Sequence, residues 1–425
     1  MQKQSNDKLV LTTLVASLGG FLFGFDMAVV SGVLPLVQKQ FGLSSLQEGW
    51  FVSSALVGCV TGVVFASDLS DRLGRKKSMF LSALFFLLAA LGCTFLPDFS
   101  LLIIARITGG LAVGIASSVV PLYLSEIAPD NKRGRMVTFY QLAITIGIFC
   151  AYLSNSLLLK LDSSGLINVW RIMFGVGMLP AILFLLGLMF IPESPRWLMQ
   201  KDEKTPAKQE AGYGLLFAPA LRRALLIGIL LPLFSQFSGI NAIIYYGPTI
   251  LLKAGITLSN SLLSQLFFGA ANALFTLIAI WKVDSLGRRP LYLWGTAGAT
   301  ISLLLTGICF YVGASNGIWL LLCVLAFLAF FAFSIGPLKF VIAAEIFPDN
   351  IRAKALSLSI LVMWVADAIV GQLTPMLLHA LGVAQTFWFF AFFCLLAFIA
   401  VFRLLPETKG KSLEQIQNYW KDLMH

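Results

Sequence analysis

Four charged side chains stand inside long apolar runs of this 425-residue chain: Asp26, Arg106, Lys339 and Asp367. A charge held among apolar residues is costly unless it is paired, hydrated or neutralised. Arg106 cannot give up its proton, so it needs an anion. Asp26, in Phe23-Gly-Phe-Asp-Met, supplies one. Burial opposes the charged form of a carboxyl group and a facing guanidinium favours it. A movement that changes either influence makes Asp26 take up or release a proton, so the pair is a coupling device; the competing reading is a structural ion pair. Lys339 and Asp367 lie on neighbouring runs and are expected to neutralise each other. Two alternatives have Lys339 contacting an acidic substrate, or reaching its ammonium to the surface. The amides Gln141, Gln236, Asn241 and Asn272 also interrupt apolar runs, each offering donor and acceptor in one group. The bland reading of all four is packing glue between helices. Gly239, between Gln236 and Asn241, permits a break there.

Other chemistry is poorly represented. The two histidines are His379 and His425, and the six cysteines stand alone with no C-x-x-C pair. Neither H-E-x-x-H nor a P-loop occurs. We therefore expect no enzyme, no metal, no cofactor and no ATP-driven pump.

The elements that must position these residues follow from composition. The chain is 58% hydrophobic and 12% charged, whereas a soluble domain carries roughly a quarter charged residues. That excludes a soluble globule, and the apolar content excludes a disordered chain. The apolar runs give twelve spans, at 9–37, 45–68, 77–96, 99–127, 135–160, 168–190, 222–252, 258–283, 290–313, 317–346, 354–379 and 383–405. All must be helices, because a sheet edge cannot be satisfied in lipid. Several exceed the minimal length, so tilt or kinking is expected. The first run reads as a retained span without a cleavage site. The expected organisation is an all-α membrane protein: a six-helix half over 1–191, a connector over 192–221, a second six-helix half over 222–405 and a tail over 406–425 that forms a short amphipathic helix.

The net charge of +10 is a topology signal. Lys and Arg concentrate in alternate inter-span segments, and only Lys39, Lys160, Arg171 and Lys253 fall in the opposite set. This asymmetry places both termini in the cytoplasm and argues against nucleic-acid binding. No N-x-[ST] sequon occurs, which favours a bacterial cytoplasmic (inner) membrane. We expect a monomer.

The halves repeat one another. Asp71-Arg-Leu-Gly-Arg-Lys76 returns as Asp284-Ser-Leu-Gly-Arg-Arg289, Ser125-Glu-Ile-Ala-Pro-Asp-Asn-Lys-Arg133 as Ala344-Glu-Ile-Phe-Pro-Asp-Asn-Ile-Arg352, and Pro192-Glu-Ser as Pro406-Glu-Thr. Copies six spans apart run parallel, and two parallel halves with a site between them is a transporter plan.

These motifs carry a resemblance. With Arg106-Ile-Thr-Gly-Gly, Pro121-Leu-Tyr-Leu-Ser-Glu-Ile-Ala-Pro, Pro192-Glu-Ser-Pro-Arg-Trp-Leu198, Gln236-Phe-Ser-Gly-Ile-Asn241, Tyr245-Tyr246 and Pro406-Glu-Thr-Lys-Gly, the chain resembles a sugar porter of the major facilitator superfamily from about residue 15 to 418. The resemblance implies twelve helices around a central cavity, rocking of two halves, and a monosaccharide or polyol as cargo. It implies proton symport, because symporters of the family carry Asp at the place of Asp26. It implies sugar contacts from Gln141, Gln236, Asn241 and Asn272, with Ile240, Phe23, Tyr245 and Trp364 as walls. It implies a cytoplasmic gate from Asp71, Arg72, Arg75, Glu126, Arg133 and Glu193 in the first half and Asp284, Arg288, Glu345 and Arg352 in the second, holding the outward-open state closed on the inside. The alternative for those charges is topological anchoring.

Departures from the family pattern sit in the sugar site. Ser235 stands where a first glutamine is usual, Phe340 replaces a tryptophan, Lys339 replaces a small or apolar residue, and Asp367 replaces a neutral polar one. The connector, about 30 residues, is shorter than the family's. The leading expectation is proton-coupled uptake of a sugar or polyol; the alternatives are a passive facilitator and a porter of a sugar acid using Lys339. A sensor on the same scaffold is disfavoured by the short tail.

Overall fold

The computed structural model describes residues 6–129, 133–161, 168–202, 216–313, 318–347 and 351–407, and among them twelve helical spans are long and apolar enough to cross a bilayer. The helices are α1 (Asn6–Phe41), α2 (Ser45–Leu73), α3 (Arg75–Phe95), α4 (Phe99–Ile127), α5 (Arg133–Leu161), α6 (Val169–Gly175), α7 (Met178–Phe190), α8 (Pro195–Asp202), α9 (Arg222–Phe237), α10 (Ile240–Lys253), α11 (Leu258–Leu286), α12 (Arg288–Tyr311), α13 (Ile318–Phe330), α14 (Gly336–Ile346), α15 (Arg352–Ala380) and α16 (Val383–Leu404). The expected tail helix and residues 203–215 of the expected connector fall outside the described residues; the described parts of the connector hold α8 and a 3₁₀ turn over Pro219–Leu221.

Three spans are broken, each for a local reason. Span six, expected as one helix, divides into α6 and α7 where Gly177 N–H bonds the Phe174 carbonyl and Leu179 N–H the Val176 carbonyl. Those tighter, three-residue bonds interrupt the α ladder. Span seven breaks between α9 and α10 at Gly239, whose φ of +84° suits a residue without Cβ. Span ten passes through a π-helical turn over Phe331–Ile335 before Pro337, which has no N–H to offer the ladder. The loop expected after span two is nearly absent. Asp71 and Arg72 belong to the last turn of α2, and Gly74 alone separates α2 from α3.

Lipid gives helices little hydrophobic reason to associate, so close backbone contact must hold them. Glycines provide it. Gly58 and Gly62 of α2 face Gly110 and Gly114 of α4: a Cβ added to Gly110 would lie 1.8 Å from the Ala55 carbonyl oxygen, and one on Gly114 2.4 Å from that of Cys59. Gly24 of α1 and Gly147 of α5 do the same, their added Cβ atoms 2.0 and 2.1 Å from the carbonyl oxygens of Ile144 and Phe21. Asn155 of α5 fastens this pair by donating to the Val29 carbonyl at 3.0 Å.

The two halves, α1–α7 and α9–α16, lean on each other at the end of the bundle away from the chain termini. Ser53 of α2 donates to Gln372 Oε1 of α15 at 2.8 Å, and Gln372 Nε2 donates to the Leu46 carbonyl at 3.1 Å. Tyr152 of α5 donates to the Ile244 carbonyl of α10 at 3.3 Å. Nearer the middle, the Phe23 ring of α1 meets the Trp364 ring of α15 at 5.5 Å. The far end is thus closed by contacts between halves.

Candidate functional site

Asp26 and Arg106 meet inside the N-terminal half. Arg106 Nη1 donates to Asp26 Oδ2 at 3.2 Å; the arginine side chain is 2% exposed and the carboxylate side chain 17%. The absence of a side chain at Gly109 leaves room, since a Cβ there would touch both carboxylate oxygens at 3.4 Å. The guanidinium also lies 6.0 Å from the Phe51 ring and 5.6 Å from the Phe174 ring, an arrangement that stabilises a buried cation. Its Nε is buried with no hydrogen-bond partner among the described residues. Beside Asp26 lies a cavity of about 20 Å³, lined by α1, α3 and span six, in which Asp26 is the one polar side chain. It is large enough for a single water. Fold and burial therefore bring together the acid and base the sequence paired, and leave the acid partly reachable.

A second polar centre lies in the C-terminal half. The Gly239 break turns the start of α10 so that Asn241 reaches back toward α9. Asn241 Nδ2 donates to Gln236 Oε1 at 2.7 Å and to Asp367 Oδ1 at 2.6 Å. Tyr245 donates to Asp367 Oδ2 at 3.1 Å, its hydroxyl lying 3.8 Å from Met27 Sδ of the opposite half. Lys339 Nζ donates to Ser235 Oγ at 3.0 Å. Ser235, Gln236, Lys339 and Asp367 are all buried. Ser235, which stands where a first glutamine is usual in the family, is the residue that receives the ammonium. Asp367 is held by Asn241 and Tyr245, neither of which the sequence identified as its partner.

The remaining sugar-site residues divide. Ile240 and Trp364 are buried and Phe23 is half-buried against Trp364; Trp364 Nε1 has no partner among the described residues. Asn272 is half-buried on α11 and Gln141 exposed on α5. The side chain of Phe340 lies outside the described residues, as do those of Arg133 and Asp284.

The charge clusters sit at the terminal end and repeat in detail. In the first half Arg75 donates through Nε and Nη2 to the two oxygens of Glu126 at 3.0 Å each, and through Nη1 to Asp71 at 3.0 Å. In the second, Arg288 pairs with Glu345 at 3.0 Å. Arg72 is exposed, and Arg352 donates to the Phe347 carbonyl at 3.2 Å. Each of these ion pairs joins residues of the same half.

Glu193 Oε1 accepts the backbone N–H groups of Arg75 and Lys76 at 3.0 Å each, capping α3. Glu407 does the same for α12, accepting those of Arg288 and Arg289 at 3.1 Å each. An anion at a helix N-terminus satisfies orphan donors and complements the dipole. The sequence reading missed Glu407, although the Pro406-Glu-Thr repeat of Pro192-Glu-Ser signalled it. Glu407→Ala is expected to lower stability by about 1–2 kcal/mol, measured by denaturant unfolding in detergent, with Glu407→Gln recovering part of the loss.

Comparison with known proteins gives consistent matches. The family model described as "Sugar (and other) transporter" matches residues 12–213 and 203–420. An arabinose-proton symporter of Bacillus subtilis (strain 168) is 37% identical, covering 97% of this chain and 95% of its own length. A galactose-proton symporter of Escherichia coli (strain K12) is also 37% identical, covering 98% and 96%. The inward-open structure of the xylose transporter XylE from E. coli superposes with a TM-score of 0.85 at 34% identity, covering 97% of this chain and all of the other.

Proposed function

This chain belongs to the sugar porter family of the major facilitator superfamily, and from that premise we propose that it carries a monosaccharide or polyol into a bacterial cell together with protons. The observation that carries the reading is the Asp26–Arg106 pair at 3.2 Å within the membrane-spanning bundle. One partly reachable carboxylate with a fixed cation can exchange a proton when the surroundings shift, and the guanidinium keeps the empty carboxylate tolerable in between. The names of the proton symporters among its relatives support the same chemistry.

Sugar would bind between the halves, its hydroxyls met by Gln141, Gln236, Asn241 and Asn272 and its apolar face by Phe23, Ile240, Tyr245 and Trp364. The halves then rock about this site. The positive-inside asymmetry supports a cytoplasmic-membrane setting with both termini inside. On that orientation the closed far end faces outward, and the repeated Arg75–Glu126 and Arg288–Glu345 clusters lie at the cytoplasmic gate.

The test is uptake by the purified protein in proteoliposomes, with labelled arabinose, xylose, galactose and a polyol, with and without an inward proton gradient. At least one of these is expected to accumulate above its external concentration only when the gradient is present. Equal uptake in both conditions would make the protein a facilitator, and no uptake of any of them would remove the sugar assignment.

A further inference from the structure

We propose that Asp367 is a second proton switch, which withholds the Asn241 amide and the Tyr245 hydroxyl from sugar while charged and releases them when protonated. The inference rests on the sugar-transport reading above.

Asn241 and Tyr245 carry three side-chain donor hydrogens between them. Asn241 Nδ2 carries two hydrogens, and both are engaged, one by Gln236 Oε1 at 2.7 Å and one by Asp367 Oδ1 at 2.6 Å. Tyr245 has one O–H, and it goes to Asp367 Oδ2 at 3.1 Å. Every donor hydrogen of these two side chains is therefore held inside the protein. Bonds to a carboxylate are roughly twice as strong as bonds between neutral groups. A neutral sugar hydroxyl offers only the weaker kind, so it cannot take these donors from a charged Asp367. A proton delivered by water to one carboxyl oxygen cancels the charge. That oxygen becomes an O–H donor, and the bonds from Asn241 and Tyr245 fall to neutral strength. The amide and phenol hydrogens can then turn to sugar oxygens, and the new carboxyl O–H can donate to another.

The surroundings suit such a switch. The titratable and charged groups around Asp367 are Lys339 on α14, Tyr245 and Tyr246 on α10, and Cys59 on α2. Cys59 lies within the field of both Asp26 and Asp367. From α9 come the neutral Ser235 and Gln236, the serine taking the Lys339 ammonium. Asp367 is buried, and the Tyr245 hydroxyl bonded to it lies 3.8 Å from Met27 Sδ, where α10 meets α1 across the closed seam. Opening that seam, as rocking requires, uncovers the carboxyl group to the far side. Proton and sugar would then arrive from the same side, at the same few atoms.

The experiment is binding of labelled arabinose, xylose and galactose to the purified full chain in detergent, as a function of pH. Wild type is expected to bind its sugar about tenfold more tightly near about pH 5.5 than near about pH 8. Asp26→Asn should keep a severalfold dependence, because Asp367 still titrates. Asp367→Asn should bind near the acid affinity even at high pH, keeping only the shallow dependence that Asp26 contributes. Tyr245→Phe removes one of the released donors, so its dependence should be shallower; it carries the test if Asp367→Asn is not recovered folded. An unchanged pH slope in Asp367→Asn or in Tyr245→Phe would overturn the proposal while leaving proton-coupled transport intact. If wild type binds none of the sugars at any pH, the transport reading falls and takes this inference with it.

Discussion

Asp26→Asn is expected to cut uphill sugar accumulation to a small fraction of the wild-type level and to spare sugar exchange. One pH unit of gradient supplies about 1.4 kcal/mol per proton, enough for about tenfold accumulation at one proton per sugar. Without a titrating group at residue 26 that drive keeps only the hold that Asp367 gives it, and internal sugar should rise little above external sugar. Exchange needs the halves to rock with sugar bound and needs no net proton movement. The substitution keeps the shape of the pair. An asparagine oxygen can still accept from Arg106 Nη1, now 3.2 Å from Asp26 Oδ2, and the guanidinium keeps the Phe51 and Phe174 rings. Removing the cation instead is a harsher change. Arg106→Met would strand a buried carboxylate, at a cost of about 3–5 kcal/mol, and should lower the yield of folded protein. The paired measurement is accumulation under a gradient against counterflow in preloaded proteoliposomes. Accumulation that survives Asp26→Asn at the wild-type level would show that another group carries the proton.

Gly110→Leu should prevent folding outright. Even the first added carbon would sit 1.8 Å from the Ala55 carbonyl oxygen, with Gly58 Cα at 2.9 Å on the same side. The obstacle is backbone, which cannot rotate away as a flexible side chain does. α2 would have to back off from α4, and Gly58, Gly62 and Gly114 would lose contact with it. In lipid little besides such close backbone packing draws two helices together. The expected readout is loss of the monodisperse peak on size-exclusion of the detergent-extracted protein. Gly42→Asn is the control. Gly42 has a φ of +61° with nothing within 4 Å of an added Cβ, and asparagine tolerates that conformation well. A monodisperse Gly110→Leu protein would contradict the packing described for α2 and α4.

Part of this was legible from residue types and spacing. The twelve spans, the repeated charge motifs and the break at Gly239 follow from runs of apolar residues and from glycine and proline placement. Asp26 and Arg106 were paired because each is expensive among apolar residues and has few possible partners. The same logic put Lys339 with Asp367, and there the structure adds what sequence lacked: Ser235 for the ammonium, Asn241 and Tyr245 for the carboxylate. The break at Gly177 and the cap by Glu407 also escaped, the first because a tightened turn inside an apolar run leaves no mark on hydropathy.

Sequence by itself determined the number of spans, which loops carry the positive charge, and the doubling of one six-span plan. Those depend on chain-local quantities, namely span length, transfer cost and charge. Tertiary structure decided how each helix is rotated, and so which polar atoms meet at the centre and which end is closed. A helix apolar on every side has no wet face to orient it, so its rotation is set by glycine contacts and hydrogen bonds with helices far away in the chain.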